Sequence, residues 1–148
     1  MITLHVVLIL RRLRCDHQRT ERLAQALFDL MFADMDQNLR ELGVGDMSVG
    51  KRIKAMAKGF YGRLAAYDAG LDAQEGEALE AALRRNLYRK TVPPAEAVTA
   101  MANYMRAEAA GLAAQPTDAL LAGEIAFGAP PAASGGGSRE TSNGAGVG

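Results

Sequence analysis

The segment that decides the fold is residues 28–67, FDLMFADMDQNLRELGVGDMSVGKRIKAMAKGFYGRLAAY. On both sides of Gly43-Val44-Gly45 its apolar residues recur every three or four positions, which is the period of an amphipathic α-helix. Glycine commonly ends a helix because it enters the left-handed backbone region without strain. The segment therefore predicts two amphipathic helices joined by a tight glycine turn.

Outward from this hairpin, the same periodicity predicts further helices on both sides. The first is apolar on nearly all of its faces, so we expect it to be central. Ser48 is a plausible N-cap for the second helix of the hairpin, and Gly70 is expected to end it. The predicted helices span residues 3–14, 19–42, 48–69, 73–88 and 95–114, with a short helix in TDALLAG after Pro116.

The C-terminal segment has a different composition. From Gly128 the sequence reads GAPPAASGGGSRETSNGAGVG, which has almost no apolar bulk to offset the entropy of ordering. We therefore expect an all-α fold, a single helical domain over residues 1–127 with about six helices, followed by a disordered tail over residues 128–148. The abrupt start of the first helix at Ile2, with no capping residue before it, predicts an incomplete N-terminus.

Composition restricts the compartment and the class of partner. The 17 Lys and Arg residues balance the 17 Asp and Glu residues, so net charge favours neither nucleic acid nor an anionic membrane. The single Cys15 excludes an intrachain disulfide and fits a reducing compartment. The apolar run from Ile2 to Leu10 is shorter than the roughly 20 residues of a transmembrane helix, and arginines follow it instead of preceding it as in a signal peptide.

The sequence offers no pattern that is typical of an enzyme. Gly43-Val44-Gly45-Asp46 has no preceding strand and lacks the phosphate-loop form, and there is no GxSxG motif. Asp29, Asp34 and Asp36 do not converge at 100° per residue, and the Glu-x-x-His motif of di-iron bundles is absent. We expect no catalysis, no metal and no cofactor.

Asp34 and Asn38 border the apolar stripe of the hairpin's first helix. One interpretation is a polar contact that fixes the register of this helix against a neighbour or a partner. The other is that both side chains hydrogen-bond to nearby backbone or to an arginine such as Arg63, as buried polar groups usually do. The sequence leaves both interpretations open, with the second favoured.

Lys51, Lys54 and Lys58 project from the hairpin's second helix, opposite its apolar stripe. They form a predicted basic ridge for phosphate backbones or an acidic partner, although such charge runs are more often solvated helix faces. Four methionines are expected near the turn, where flexible thioethers would suit varied apolar ligands: Met31, Met35, Met47 and Met56.

Residues 28–63, with YDAGL at 67–71 and LRRNLY at 83–88, resemble the bacterial branch of the ubiquinol-cytochrome c chaperone family. The most specific part is residues 32–56. The resemblance implies a helical chaperone domain without catalytic residues. It also implies a role in assembly of the cytochrome bc1 complex, because mitochondrial relatives act on newly made cytochrome b, with a small partner protein, near the ribosomal exit tunnel.

We therefore expect a cytoplasmic assembly factor with at most peripheral membrane contact and no DNA binding. Its client would be nascent cytochrome b or another bc1 subunit, and the ribosome exit region is a further expected contact. The alternative is a basic-surface adaptor for ribosomal RNA or another protein, without a bc1 client. For two of the predicted partner-binding residues the sequence also allows a structural role: Phe60 as a core residue, and Asp46 as a cap of the hairpin's second helix. The residues predicted to bind partners are Asp34, Asp36, Asn38, Arg40, Asp46, Lys51, Lys54, Lys58, Phe60, Tyr61 and Arg63.

Overall fold

The computed structural model describes residues 2–73 and 76–131 of the chain. Within these residues all regular secondary structure is helical and there is no strand, which confirms the all-α prediction. The helices are α1 (Ile2–Arg14), α2 (His17–Glu41), α3 (Asp46–Asp72), α4 (Glu77–Asn86), α5 (Ala95–Ala114) and α6 (Thr117–Leu121). The predicted tail from Gly128 onward lies, from residue 132, outside the described residues.

Two predicted boundaries of α3 are wrong. The helix is capped by Gly45, whose extended backbone (φ −62°, ψ 144°) lets its carbonyl accept the N–H groups of Ser48 and Val49. Ser48 therefore lies inside the first turn. At the other end α3 continues through Gly70 to Asp72. Gly43 does end α2 in the left-handed region (φ 77°), as the sequence predicted.

The core is organised around α1, as expected from its apolar composition. This helix contacts α2, α3 and α5, while α4 packs between α3 and α5. Leu4, Val7 and Leu8 of α1 are almost completely buried. Leu13 of α1 and Val49 of α3 are also fully buried, and the other fully buried large apolar side chains come from α3, α4 and α5: Phe60, Tyr67, Leu79, Leu83, Val98, Met105 and Leu112.

The hairpin formed by α2 and α3 is buried less than its periodicity predicted. Helix α2 has 25 residues and is about 37 Å long. Its one fully buried described residue is Thr20, near its start, whereas the apolar stripe beyond it is half-buried and Leu42 is 80% exposed. On the α3 side only Val49 is buried before Phe60 among residues whose side chains are described. The hairpin therefore extends beyond the core, with its two helices covering mainly each other.

The side chain of Arg12 joins α1 to the end of α5. Its Nε donates to the carbonyl of Leu112 and its Nη2 to the carbonyl of Gln115, both at 2.9 Å, and Nη2 also reaches the hydroxyl of Thr117 at 3.1 Å. The carbonyl of Leu112 also accepts the N–H of Gln115 at 3.2 Å, so Arg12 adds a second donor there. It supplies the described partner of the Gln115 carbonyl, just beyond the end of α5, and thereby fixes the turn into α6.

Replacing Arg12 with Met keeps the aliphatic stem and removes these hydrogen bonds. Arg12→Met is expected to lower the free energy of unfolding by about 2–3 kcal/mol, because hydrogen bonds from charged donors are lost and a carbonyl is left unpaired. Denaturant unfolding followed by circular dichroism measures the change. The matched control is Arg22→Met, at an exposed site of α2, which should stay within about 0.5 kcal/mol of wild type. Equal stabilities for the two variants would contradict the proposed role of Arg12.

A second polar contact joins α1 to the end of α3. The buried carboxylate of Asp68 accepts from Arg11 at 3.1 Å and from Arg14 at 2.7 Å, and Arg11 also bonds Asp72. The hydrogen bond from Arg11, with the charge of that guanidinium, lowers the pKa of the exposed Asp72 carboxyl below its ordinary value. These ion pairs fix the crossing of α1 and α3 at the base of the hairpin.

The chain after α6 returns to the helical core. Phe127 packs edge-on against His5, with ring centroids 4.7 Å apart, and the N–H of Gly128 donates to the buried carboxylate of Glu108 at 2.9 and 3.0 Å. His5 also hydrogen-bonds the hydroxyl of Tyr104 at 2.8 Å. The segment up to Gly128 is therefore attached to α1 and α5.

Candidate functional site

The polar residues predicted on α2 make local contacts. The Nδ2 of Asn38 donates to the carbonyl of Asp34 at 2.7 Å and to its carboxylate at 3.2 Å, and both residues are exposed. Arg63 does not contact either of them among the described hydrogen bonds. Asp34 and Asn38 thus lie on an outer surface of the hairpin, and their described hydrogen bonds are local, as the second interpretation held.

Arg40 connects the two helices at the tip of the hairpin. Its Nε donates to Asp36 one turn earlier at 2.6 Å, and its Nη1 reaches Asp46, the first residue of α3. Asp46 follows the cap residue Gly45, and the described partner of its carboxylate is Arg40. All three groups are wholly or partly exposed, so we expect this contact to stabilise the hairpin only modestly.

Lys51, Lys54 and Lys58 are exposed on α3, and none of them has an ion pair among the described residues. The basic ridge is therefore a solvent-exposed helix face whose three lysines are unpaired within the described part of the chain. Of the predicted methionine group, Met31, Met35 and Met56 are half-buried between α2 and α3. The side chain of Met47 lies outside what is described.

The last three predicted residues have three different environments. Phe60 is 1% exposed and belongs to the core, as its alternative interpretation held. Its neighbour Tyr61 is 55% exposed. The Nε of Arg63 is buried without a described acceptor beside a cavity of about 150 Å³, whose lining includes Tyr67 and Asn86. Burial raises the pKa of Tyr67 to about 12, against the opposing effect of the Arg63 charge.

A wider groove lies at the base of the hairpin, where α1, α2 and α3 meet. It has a volume of about 360 Å³ and is open to solvent along one side. We call it the basal groove. We call its apolar lining residues the floor and its polar lining residues the rim. The floor consists of Leu10, Ala24, Phe28, Tyr61 and Leu64, and the rim of Arg14, His17, Glu21 and Gln25.

Aromatic packing fixes the floor of the basal groove. The ring of Phe28 lies 5.4 Å from that of Tyr61, 6.1 Å from that of Phe60 and 4.6 Å from that of Phe32, measured between centroids. Because Phe60 is anchored in the core, this cluster holds Tyr61 in place while leaving half of it exposed. The result is a rigid apolar surface with a phenol hydroxyl available for hydrogen bonding.

Sequence reasoning found one lining residue of this groove, Tyr61, and missed the others. The floor is assembled from three helices, and each contributing residue reads in the sequence as an ordinary member of a core stripe. Phe28 gave the best available signal, since a second aromatic one turn before Phe32 widens the apolar face of α2 beyond what one neighbouring helix covers.

The arrangement is suited to binding. Within the described part of the chain, no three His, Cys, Asp or Glu side chains are placed to hold a metal ion. No described helix combines the length and apolar character that crossing a membrane requires. A shallow apolar floor with a mixed polar rim resembles the sites at which proteins receive an apolar face of a partner helix.

The family described as ubiquinol-cytochrome C chaperone matches residues 1–127. Similar curated proteins are the ubiquinol-cytochrome-c reductase complex assembly factor 1 of Xenopus laevis, 25% identical over 125 residues, and its Mus musculus counterpart, 25% identical over 123 residues. The alignments cover 84% and 82% of this chain but only 62% and 41% of those two proteins.

A solved structure has the same fold. The crystal structure of the Cbp3 homolog from Brucella abortus superposes with a TM-score of 0.77 at 38% sequence identity, covering 87% of this chain and 71% of that one. The match to the family extends from α1 to Phe127, which packs on His5, so it includes the hairpin and the basal groove. This chain belongs to the ubiquinol-cytochrome c chaperone family.

Proposed function

We propose that this protein is a non-enzymatic chaperone that holds newly made cytochrome b during assembly of the cytochrome bc1 complex. The observation that carries the proposal is the family match over residues 1–127, which includes every element of the basal groove. The names of the vertebrate relatives, both assembly factors of ubiquinol-cytochrome c reductase, support the choice of complex.

The basal groove is the proposed client site. Its floor places Leu10, Phe28 and Tyr61 on one surface, which fits the apolar face of a helical segment that has not yet entered the membrane. Cytochrome b is a strongly apolar membrane subunit, so such segments are exposed while it is new. The polar side chains on the rim can hydrogen-bond polar groups that flank the segment. We further propose that the protein acts in the cytoplasm, next to the membrane that receives cytochrome b.

Deleting the gene tests this function. We expect the membranes of the deletion strain to lose most of their cytochrome b and bc1 activity, because unchaperoned subunits are degraded, while a respiratory oxidase assembled separately stays at its normal level. Reduced-minus-oxidised haem spectra measure both, and expression of the intact chain should restore the loss. A deletion strain with normal cytochrome b and normal bc1 activity would refute the proposal.

One observation favours a second function. The exposed lysines of the α3 ridge are compatible with an adaptor that binds ribosomal RNA through Lys51, Lys54 and Lys58 without any bc1 client. This function requires co-sedimentation with ribosomes that falls steeply between about 50 and 200 mM salt, and normal bc1 content after deletion. The two functions are therefore separated by the deletion strain itself.

A further inference from the structure

Positive charge is concentrated at the end of α4 and in the turn that follows. Arg84 and Arg85 lie in the last turn of α4, and Arg89 and Lys90 follow it. The sequence has no acidic residue between positions 81 and 95. Among the described residues only Arg84 of this group has a carboxylate partner, Glu80 at 3.9 Å. We call residues 84–92 the cationic loop.

Helix stability explains only part of this charge. Cations in the last turn of a helix interact favourably with its dipole, which accounts for Arg84 and Arg85. The effect fades beyond the last turn, and α4 ends at Asn86. Arg89 and Lys90 lie past this end and, with Leu87 and Thr91, line a shallow concavity of about 310 Å³. Two strong donors in an open concavity have the chemistry of a phosphate site.

An exposed aliphatic side chain distinguishes the cationic loop from the lysine ridge. Val92 is 98% exposed and is followed by Pro93 and Pro94, which keep the loop from folding back as a helix. No large exposed apolar side chain is described between Lys51 and Lys58. An RNA backbone would gain little from Val92, whereas a membrane interface accepts cations at its phosphates and an aliphatic group beneath them.

We propose that the cationic loop docks on the surface of an anionic membrane. Arg85, Arg89 and Lys90 contact lipid phosphates, and Val92 enters the boundary between headgroups and acyl chains. The proposal rests on the proposed function and deepens it, because a chaperone for a membrane subunit has to deliver its client there. Attachment by a few cations and one aliphatic side chain is weak, so the docking is reversible and sensitive to salt.

Vesicle sedimentation with the purified intact chain tests the docking. The vesicles contain about 30% phosphatidylglycerol in phosphatidylcholine, or phosphatidylcholine alone, at about 50 and 300 mM NaCl, which brackets physiological screening. The loop variant carries Arg85→Gln, Arg89→Gln and Lys90→Gln. The matched control is the ridge variant, which removes the same charge from another exposed surface. It carries Lys51→Gln, Lys54→Gln and Lys58→Gln. Val92→Ser tests the aliphatic contact separately.

We expect the intact chain to bind the anionic vesicles at the lower salt concentration and to bind the neutral ones much more weakly. The loop variant should bind about 100-fold more weakly, given about fivefold for each cation near the surface. The affinity of the ridge variant for the anionic vesicles should stay close to that of wild type. Val92→Ser should bind them about fivefold more weakly, because serine buries less apolar area than valine.

Absence of binding to anionic vesicles, or equal losses in the loop and ridge variants, would overturn the docking proposal. Tighter binding of the intact chain to polyuridine RNA than to the vesicles would also overturn it, because the partner of the cationic loop would then be a nucleic acid. The vesicle assay contains no bc1 component, so absence of vesicle binding does not contradict the proposed chaperone function. That function is tested by the deletion strain. Likewise, a normal bc1 content in that strain does not alter the vesicle result.

Discussion

The variant Gly70→Ala is expected to lower the free energy of unfolding by about 3 kcal/mol, which is the upper part of the range for overpacked cores. A Cβ atom added at Gly70 would lie 2.7 Å from the Cα of Leu79, 3.0 Å from its N and 3.1 Å from its Cβ. These are mainly backbone atoms of α4 that no rotamer change can move. The methyl group is accommodated only if α3 and α4 separate.

Urea unfolding followed by circular dichroism measures this loss. Gly59→Ala is the matched control, since a Cβ at Gly59 meets nothing within 4 Å and the substitution lies in the same helix. It should leave stability unchanged or raise it by up to about 1 kcal/mol through helix propensity. A Gly70→Ala protein as stable as wild type would mean that α3 and α4 do not approach this closely.

The second large effect is expected at the basal groove. We expect a gene that carries Tyr61→Asp to restore little cytochrome b in the deletion strain. An apolar client that covers the groove would bury the new carboxylate without a partner. Tyr61 is half exposed, so the variant should remain folded, with its free energy of unfolding changed by about 1 kcal/mol or less. Haem spectra of the membranes and urea unfolding of the purified variant measure the two quantities.

Two further variants control for this effect. Tyr61→Phe retains the aromatic floor and should keep most of the activity. Asn103→Asp adds the same charge at an exposed position of α5, away from the groove, with almost no change in side-chain shape, and should restore cytochrome b normally. Full restoration by Tyr61→Asp would exclude the floor of the groove as the client site. Loss in both aspartate variants would point to a general effect of added charge.

The fold was predictable because its determinants are local in sequence. The glycine turn at residues 43–45, the prolines before α5 and the three- and four-residue apolar spacing each act within one or two helical turns. Gly70 shows where this fails. In the sequence it reads as a helix stop, but in the structure it is a point of close approach between α3 and α4, and that contact depends on residues that the local pattern does not pair.

The candidate site was less predictable for a related reason. The contacts between Asp34 and Asn38 and between Asp36 and Arg40 have the i, i+4 spacing of any helix surface, so finding them says little about function. The basal groove depends on which apolar faces lack a neighbour, and its floor residues come from three helices. Periodicity identifies an apolar face but does not reveal what covers it.

Cross-linking from the basal groove shows whether newly made cytochrome b binds there. A photoreactive benzoylphenylalanine in place of Tyr61 lies on the groove floor, and the same group in place of Asn103 lies on an exposed face of α5. Irradiation of growing cells that carry either variant is followed by purification and mass spectrometry of the adducts. We expect an adduct with newly made cytochrome b from position 61 and none from position 103. A position-61 protein that restores bc1 assembly yet gives no cytochrome b adduct would contradict it.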